Sequence, residues 1–217
     1  MKIINSLLII TLLSLSLSAK ELEIPSALPV GDAGAGKELV AQCAACHGAS
    51  GVSSNSDWPN LAAQGEQYLF SQLKYFQTGE RENILMMAVI PYLKTLTDSQ
   101  LLDIASFYSS QSASVGQAKD NQELLARGEW LYRAGDPKKG IPACTACHGL
   151  AGNGLNQAGF PAVSGQQINY LQTTLKDYRS NARNAGNYAS VMQAVAINLS
   201  DSDIEAVANY MHGLYLQ

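Results

Sequence analysis

Cysteine and histidine are scarce in this chain: four cysteines and three histidines among 217 residues. Other signals are missing altogether. There is no run of lysine or arginine, and 14 basic residues face 18 acidic ones for a formal charge of −4, so nothing marks a nucleic-acid surface. There is no complete phosphate-loop motif and no paired-carboxylate constellation in repeat register, which removes nucleotide-dependent and acid–base hydrolytic chemistry. An alternating strand and helix pattern is absent, so a thioredoxin-like redox fold is excluded. Beyond residue 17 no apolar run approaches the roughly 20 residues that span a bilayer.

What is present is concentrated. All four cysteines lie in two pentads, Cys43-Ala44-Ala45-Cys46-His47 and Cys144-Thr145-Ala146-Cys147-His148. Each has the C-x-x-C-H form of a covalent haem attachment site, where two thiols bond one porphyrin and the adjoining imidazole binds its iron. On a helical turn, positions i, i+3 and i+4 share a face, so each Cys, Cys, His set reaches one flat macrocycle. A zinc site of two C-x-x-C pairs separates them by about 15–20 residues, far less than here, and gives no reason for the histidines. Two disulfides leave the repeated histidine equally unexplained. Two haem c groups are therefore expected.

The N-terminus reads as an export signal. Met1-Lys2 is followed by an apolar run from Ile3 to Leu17 and small residues at Ser16, Ser18 and Ala19, so 1–19 reads as a secretory signal peptide. An uncleaved anchor is the alternative. Residues 20–30, with Pro25 and Pro29, read as an extended mature N-terminus. Export to the periplasm suits the pentads, since bacterial haem attachment is completed outside the cytoplasmic membrane.

An internal repeat divides the rest. Setting His47 on His148, a shift of 101 residues, and allowing small drifts of that shift brings Trp58-Pro59 onto Phe160-Pro161, Tyr68-Leu69 onto Tyr170-Leu171, Leu73 onto Leu175 and Arg81 onto Arg183. Leu101, Ile104, Ala105 and Tyr108 match Ile204, Val207, Ala208 and Met211 at the spacing of an amphipathic helix. A capping-box pattern precedes each, Thr97 with Gln100 and Ser200 with Asp203. The expected architecture is all-α: a first domain at 31–111, a linker at 112–120 and a second domain at 121–217. In each domain a leading helix, opening at Asp32 in the first, runs into the pentad, then a glycine-rich loop, a middle helix and a terminal helix follow. Halves this small gain their missing apolar centre from the porphyrin.

His47 and His148 are one axial ligand each; the opposite face of each iron decides the function. A second soft ligand makes a carrier, an open position makes a reaction site. Met192 precedes the second terminal helix, and Met86 and Met87 occupy the matching stretch of the first half. Met87 is preferred, with Met86 as the alternative; Met211 lies on an apolar helix stripe and reads as core. His212 has no counterpart in the repeat and reads as a polar residue near the C-terminus. Arg81 and Arg183 read either as partners of haem carboxylates or as exposed helix-end residues.

The chain resembles the dihaem cytochromes of the cytochrome c4 family. The resemblance rests on the paired pentads about a hundred residues apart, Gly140-Ile141-Pro142-Ala143-Cys144 before the second, Gly159-Phe160-Pro161 after it, and methionines ahead of each terminal helix. It implies two tandem class I-like cytochrome c domains with His/Met ligation and haems near the shared interface. It implies too that Pro59 and Pro161 accept a hydrogen bond from the ligand imidazoles through their carbonyls. The implied role is a periplasmic carrier of single electrons, often toward a membrane terminal oxidase, without catalytic residues. Residues 29–116 hold eight acidic and four basic residues and 117–217 eight of each, so the first half is expected to favour a basic partner. Redox proteins are the expected partners, a respiratory complex or dehydrogenase as donor and the oxidase as acceptor, with peripheral membrane association compatible. Two alternatives stay open: an electron-accepting subunit of a periplasmic dehydrogenase, and a dihaem peroxidase.

Overall fold

The computed structural model describes residues 29–215; the readings of 1–19 as a signal peptide and of most of 20–30 as an extended N-terminus fall outside them. Among the described residues there are ten α-helices and one 3-10 turn and no strand, only isolated bridges pairing Asp136 with Ile141 and Leu155 with Phe160.

In the first half, α1 (Ala33–Lys37), α2 (Ala41–His47), α3 (Glu66–Thr78), α4 (Ile90–Leu93) and α5 (Asp98–Ser109) follow in order. The expected single leading helix is instead broken. Asp32 caps α1 through bonds to the Gly34 and Ala35 amides, but the helix ends after five residues and restarts at Ala41. Two glycines in five positions leave α1 little intrinsic helicity, so it survives by packing. At Gly36 a Cβ would overlap the Asp103 carbonyl of α5, and the bare backbone is what lets the two helices meet.

The second half has α6 (Gln122–Ala134), α7 (Thr145–His148), the 3-10 turn (Asn156–Ala158), α8 (Ile168–Arg179), α9 (Ala189–Ala196) and α10 (Asp201–Gly213). Here the leading helix is continuous, capped by Asn121, and Gly128 repeats the close approach against Ala206 of α10. A loop separates it from the pentad. Both capping boxes form as read, Thr97 with Gln100 and Ser200 with Asp203.

Each half buries its own core. Val40, Leu69, Phe76, Leu101, Ile104 and Tyr108 belong to one; Leu131, Tyr132, Leu171, Ile204, Val207 and Met211 belong to the other. Met211 is thus core, as its stripe suggested. Between the halves, residues 113–120 have no regular secondary structure and lie against the second half, with Lys119 N–H bonded to Asn209 Oδ1 at 2.8 Å. His212 Nδ1 is 2.8 Å from the Gln166 carbonyl.

The halves face each other through a reciprocal clasp. Gln64 donates to the Ala162 carbonyl at 2.9 Å and accepts from the Ala162 amide at 2.7 Å. Gln166 does the same to Asn60, at 2.9 and 2.8 Å. Each residue meets its partner's counterpart, as a two-fold interface requires. Both glutamines are buried, so each amide that lost water has both ends satisfied.

Candidate functional site

Each pentad sits where a short helix ends in a glycine. Gly48 and Gly149, at φ 79° and 77°, turn the chain away immediately after the histidine and leave its ring facing inward. His47 and His148 are both 8% exposed. Their Nδ1 atoms lie 2.9 Å from the Pro59 carbonyl and 2.8 Å from the Pro161 carbonyl. A carbonyl can only accept, so Nδ1 carries the proton and Nε2 keeps its lone pair for a metal. Burial lowers both imidazole pKa values, although the proline carbonyls act the other way, and the neutral form prevails.

His47 and His148 line one continuous cavity of about 510 Å³ that runs between the halves. Met86 and Met192 line the same cavity. Met87 does not: it is 58% exposed, whereas Met86 packs against the first core. Of the two adjacent candidates, the one preferred from the sequence, Met87, points away from the cavity and its alternative, Met86, faces it. The sequence spacing could not decide it, because residues 84–89 form consecutive turns, while the matching Met192 rides on α9, where facing is set by helical period.

None of the four cysteines is paired in a disulfide. Among the described residues no three His, Cys, Asp or Glu side chains gather to hold a bare metal ion. The residues do fit haem. The cavity has a neutral imidazole and a thioether in each half and thiols beside each imidazole. The buried Tyr108 hydroxyl, without a hydrogen-bond partner, faces the same space.

Arg81 and Arg183 also line the cavity, so neither is simply a solvated helix end. Arg183 reaches the opposite half, where its Nη2 is 2.8 Å from the Tyr68 hydroxyl. Gln64 and Gln166 escaped the sequence reading, yet they share the register that pairs Tyr68 with Tyr170, and that register could have disclosed them.

Two tandem helical units, each presenting a C-x-x-C-H pentad to an apolar cavity, define a dihaem c-type cytochrome. The profile of the cytochrome c family matches residues 33–112 and 125–214, once per half. The chain belongs to the cytochrome c family and, within it, to the cytochrome c4 group. It is 41% identical to cytochrome c4 of Pseudomonas aeruginosa over 97% of this chain and all of that one. The crystal structure of reduced recombinant cytochrome c4 from Pseudomonas stutzeri superposes with a TM-score of 0.79 at 41% identity, covering 86% of this chain and all of that one. A thiosulfate dehydrogenase electron acceptor of Thiomonas intermedia is 36% identical over 79% of this chain and 77% of its own. The chain binds two covalent haem c groups and is an electron carrier, not an enzyme.

Proposed function

We propose that both irons are held by histidine and methionine, His47 with Met86 and His148 with Met192, and that the protein shuttles single electrons in the periplasm toward a membrane terminal oxidase. Cys43, Cys46, Cys144 and Cys147 are the attachment points. Each haem supplies a one-electron ferrous/ferric couple. The protein contributes a neutral imidazole oriented by a proline carbonyl, a thioether that favours the ferrous state, and an apolar surround that disfavours the extra ferric charge. The observation that carries the reading is the cavity that gathers one histidine and one methionine from each half. Ligation unchanged between oxidation states keeps reorganisation small, which suits transfer and not turnover.

The periplasmic location rests on the N-terminal signal pattern. Among the described residues no helix is long and apolar enough to cross a membrane. Peripheral association with the membrane face is compatible with delivery to an oxidase. A second reading, an electron-accepting subunit of a periplasmic dehydrogenase, is favoured by the likeness to the Thiomonas acceptor. Mixing the reduced holoprotein with oxidase-containing membranes separates the two. Reoxidation by the membranes, with the protein isolated alone, supports the shuttle. No reoxidation, with a dehydrogenase retained in constant proportion through purification, replaces it with the subunit role.

A further inference from the structure

Arg81 and Arg183 occupy equivalent places. The backbone amide of each bonds back to the middle helix, Arg81 to the Tyr75 carbonyl at 2.9 Å and Arg183 to the Asp177 carbonyl at 3.1 Å. Their guanidinium carbons lie 4.5 Å over the Phe76 ring and 4.9 Å over the Tyr178 ring, themselves repeat counterparts. Beyond that their side-chain hydrogen bonds differ. Arg81 donates to Gln72 Oε1 at 2.7 Å, within its own half. Arg183 crosses over, donating to Tyr68 and, at 3.1 Å, to that same Gln72 oxygen. One amide oxygen thus receives two cations.

Neither guanidinium forms an ion pair among the described residues. Arg183 is 7% exposed and always charged. The two guanidiniums share one amide oxygen with no carboxylate beside them, an unfavourable arrangement for the buried Arg183 charge. Arg183 also has five N–H donors and uses three bonds, to Tyr68, Gln72 and, at 3.4 Å, Tyr170. The Tyr68 and Tyr170 hydroxyls accept from it, which leaves their own protons available to an acceptor in the cavity. Burial pushes the Tyr170 phenol up, but the two guanidiniums outweigh it and pull it down, whereas at Tyr68 burial prevails and holds the phenol up.

We infer that Arg81 and Arg183, with Tyr68 and Tyr170, form one carboxylate-binding site shared by the acid side chains of both porphyrins, in which Arg183 is a positioning residue that crosses from the second half to the first. The inference rests on the assignment of one haem to each half. Its consequence is electrostatic. A cation between the irons favours the less positive ferrous state at both, so one residue of the second half raises the potential of the first.

The test is redox titration of the holoprotein carrying Arg183→Gln, Arg183→Lys or Arg81→Gln, with covalent haem counted by intact mass. Arg183→Gln is expected to keep two haems and to lower both potentials, shifting each ferrous-to-ferric ratio about tenfold, or about 59 mV for a one-electron couple. Arg183→Lys, which keeps the charge and loses the fork, shifts the same two haems less. Should the glutamine variant not accumulate, the lysine variant alone carries the test. Arg81→Gln moves the first haem more than the second. Two retained haems with unchanged potentials, or a change at the second alone, overturns the shared site. Tyrosinate absorbance at neutral pH that vanishes in Tyr170→Phe also overturns it, by placing the counter-charge on a phenol. Wild-type protein short of two haems by mass would sink the haem assignment itself.

Discussion

The two halves repeat one plan with different means of holding it together. In the first, α1 is a five-residue helix pinned by a glycine contact, and the cap of its terminal helix uses the neutral Gln100. In the second, the leading helix runs 13 residues and the equivalent cap residue is Asp203. That carboxylate takes Arg127 at 2.6 Å and Lys139 at 2.8 Å, and Arg127 bonds Asp136 at 3.0 Å, so the loop between α6 and the pentad is tied to α10. The first half has no such loop to restrain. The same contrast reaches the methionines: consecutive turns present Met86 and leave Ile84, Leu85 and Met87 exposed, whereas α9 presents Met192. The two halves share the pentads and the capping boxes, while the scaffold around them diverges.

The largest break in the comparison comes from removing one haem at a time. Replacing Cys43 and Cys46 by alanine is expected to unfold mainly the first half, whose short leading helices depend most on the porphyrin. Replacing Cys144 and Cys147 leaves the longer α6 paired with α10. Circular dichroism should show the greater fractional loss of helix per half in the first variant. With all four replaced, native helicity would contradict the view that haem supplies the missing core.

Ligand removal comes next. Met86→Ala and Met192→Ala should each lower the potential of one iron, while Met87→Ala leaves both within error in the same redox titration. A large effect at Met87 would reverse the choice made from burial.

A smaller effect isolates the charge network. Burial pushes the Asp203 carboxyl up, but hydrogen bonds from Lys139, Ser200 and Arg127 prevail and hold it well below the usual carboxylate range. A depressed pKa stabilises the fold above the unfolded carboxylate value near 4, and that contribution fades as pH falls toward the folded value. Asp203→Asn should cost about 1–3 kcal/mol at neutral pH, the scale of charge-assisted hydrogen bonds, and flatten the acid side of the stability profile. Chemical denaturation at several pH values reads both. The matching Gln100→Ala should show no such pH dependence.

The smallest expected effect lies in a turn common to both halves. Ala63 has φ 55° where its counterpart Gly165 has φ 62°. Their amides bond to Tyr108 and Met211 of the terminal helices, at 3.0 and 3.2 Å, so neither turn can relax freely. A left-handed alanine costs on the order of 1 kcal/mol, and Ala63→Gly should recover part of it. Gly165→Ala should destabilise, since its Cβ would overlap the Ser114 carbonyl. Thermal denaturation of the pair checks the opposite signs.

Much of this organisation was legible in the residues themselves. The pentads, the repeat and both capping boxes are local patterns whose spacing carries their meaning, and the proline carbonyls were placed by resemblance before any distance was known. What stayed hidden depends on facing. Met86 and Met87 differ only in which way a turn directs them, and no period governs a turn. The break after Lys37 leaves a short helix whose packing against α5 at Gly36 became visible only in three dimensions. Arg183 matched Arg81 in register, but its crossing to Tyr68 is a property of how the halves meet, which neither half encodes alone.

The most direct test of the central claim, two closed irons serving electron transfer alone, is the far-red methionine-to-iron absorption of the oxidised holoprotein, measured per haem with and without Met86→Ala. The account predicts full intensity for two haems in the wild type, half in the variant, and no spectral change when carbon monoxide is added to the reduced wild type. Half intensity in the wild type, or a carbon monoxide adduct, would mean an open iron and contradict it.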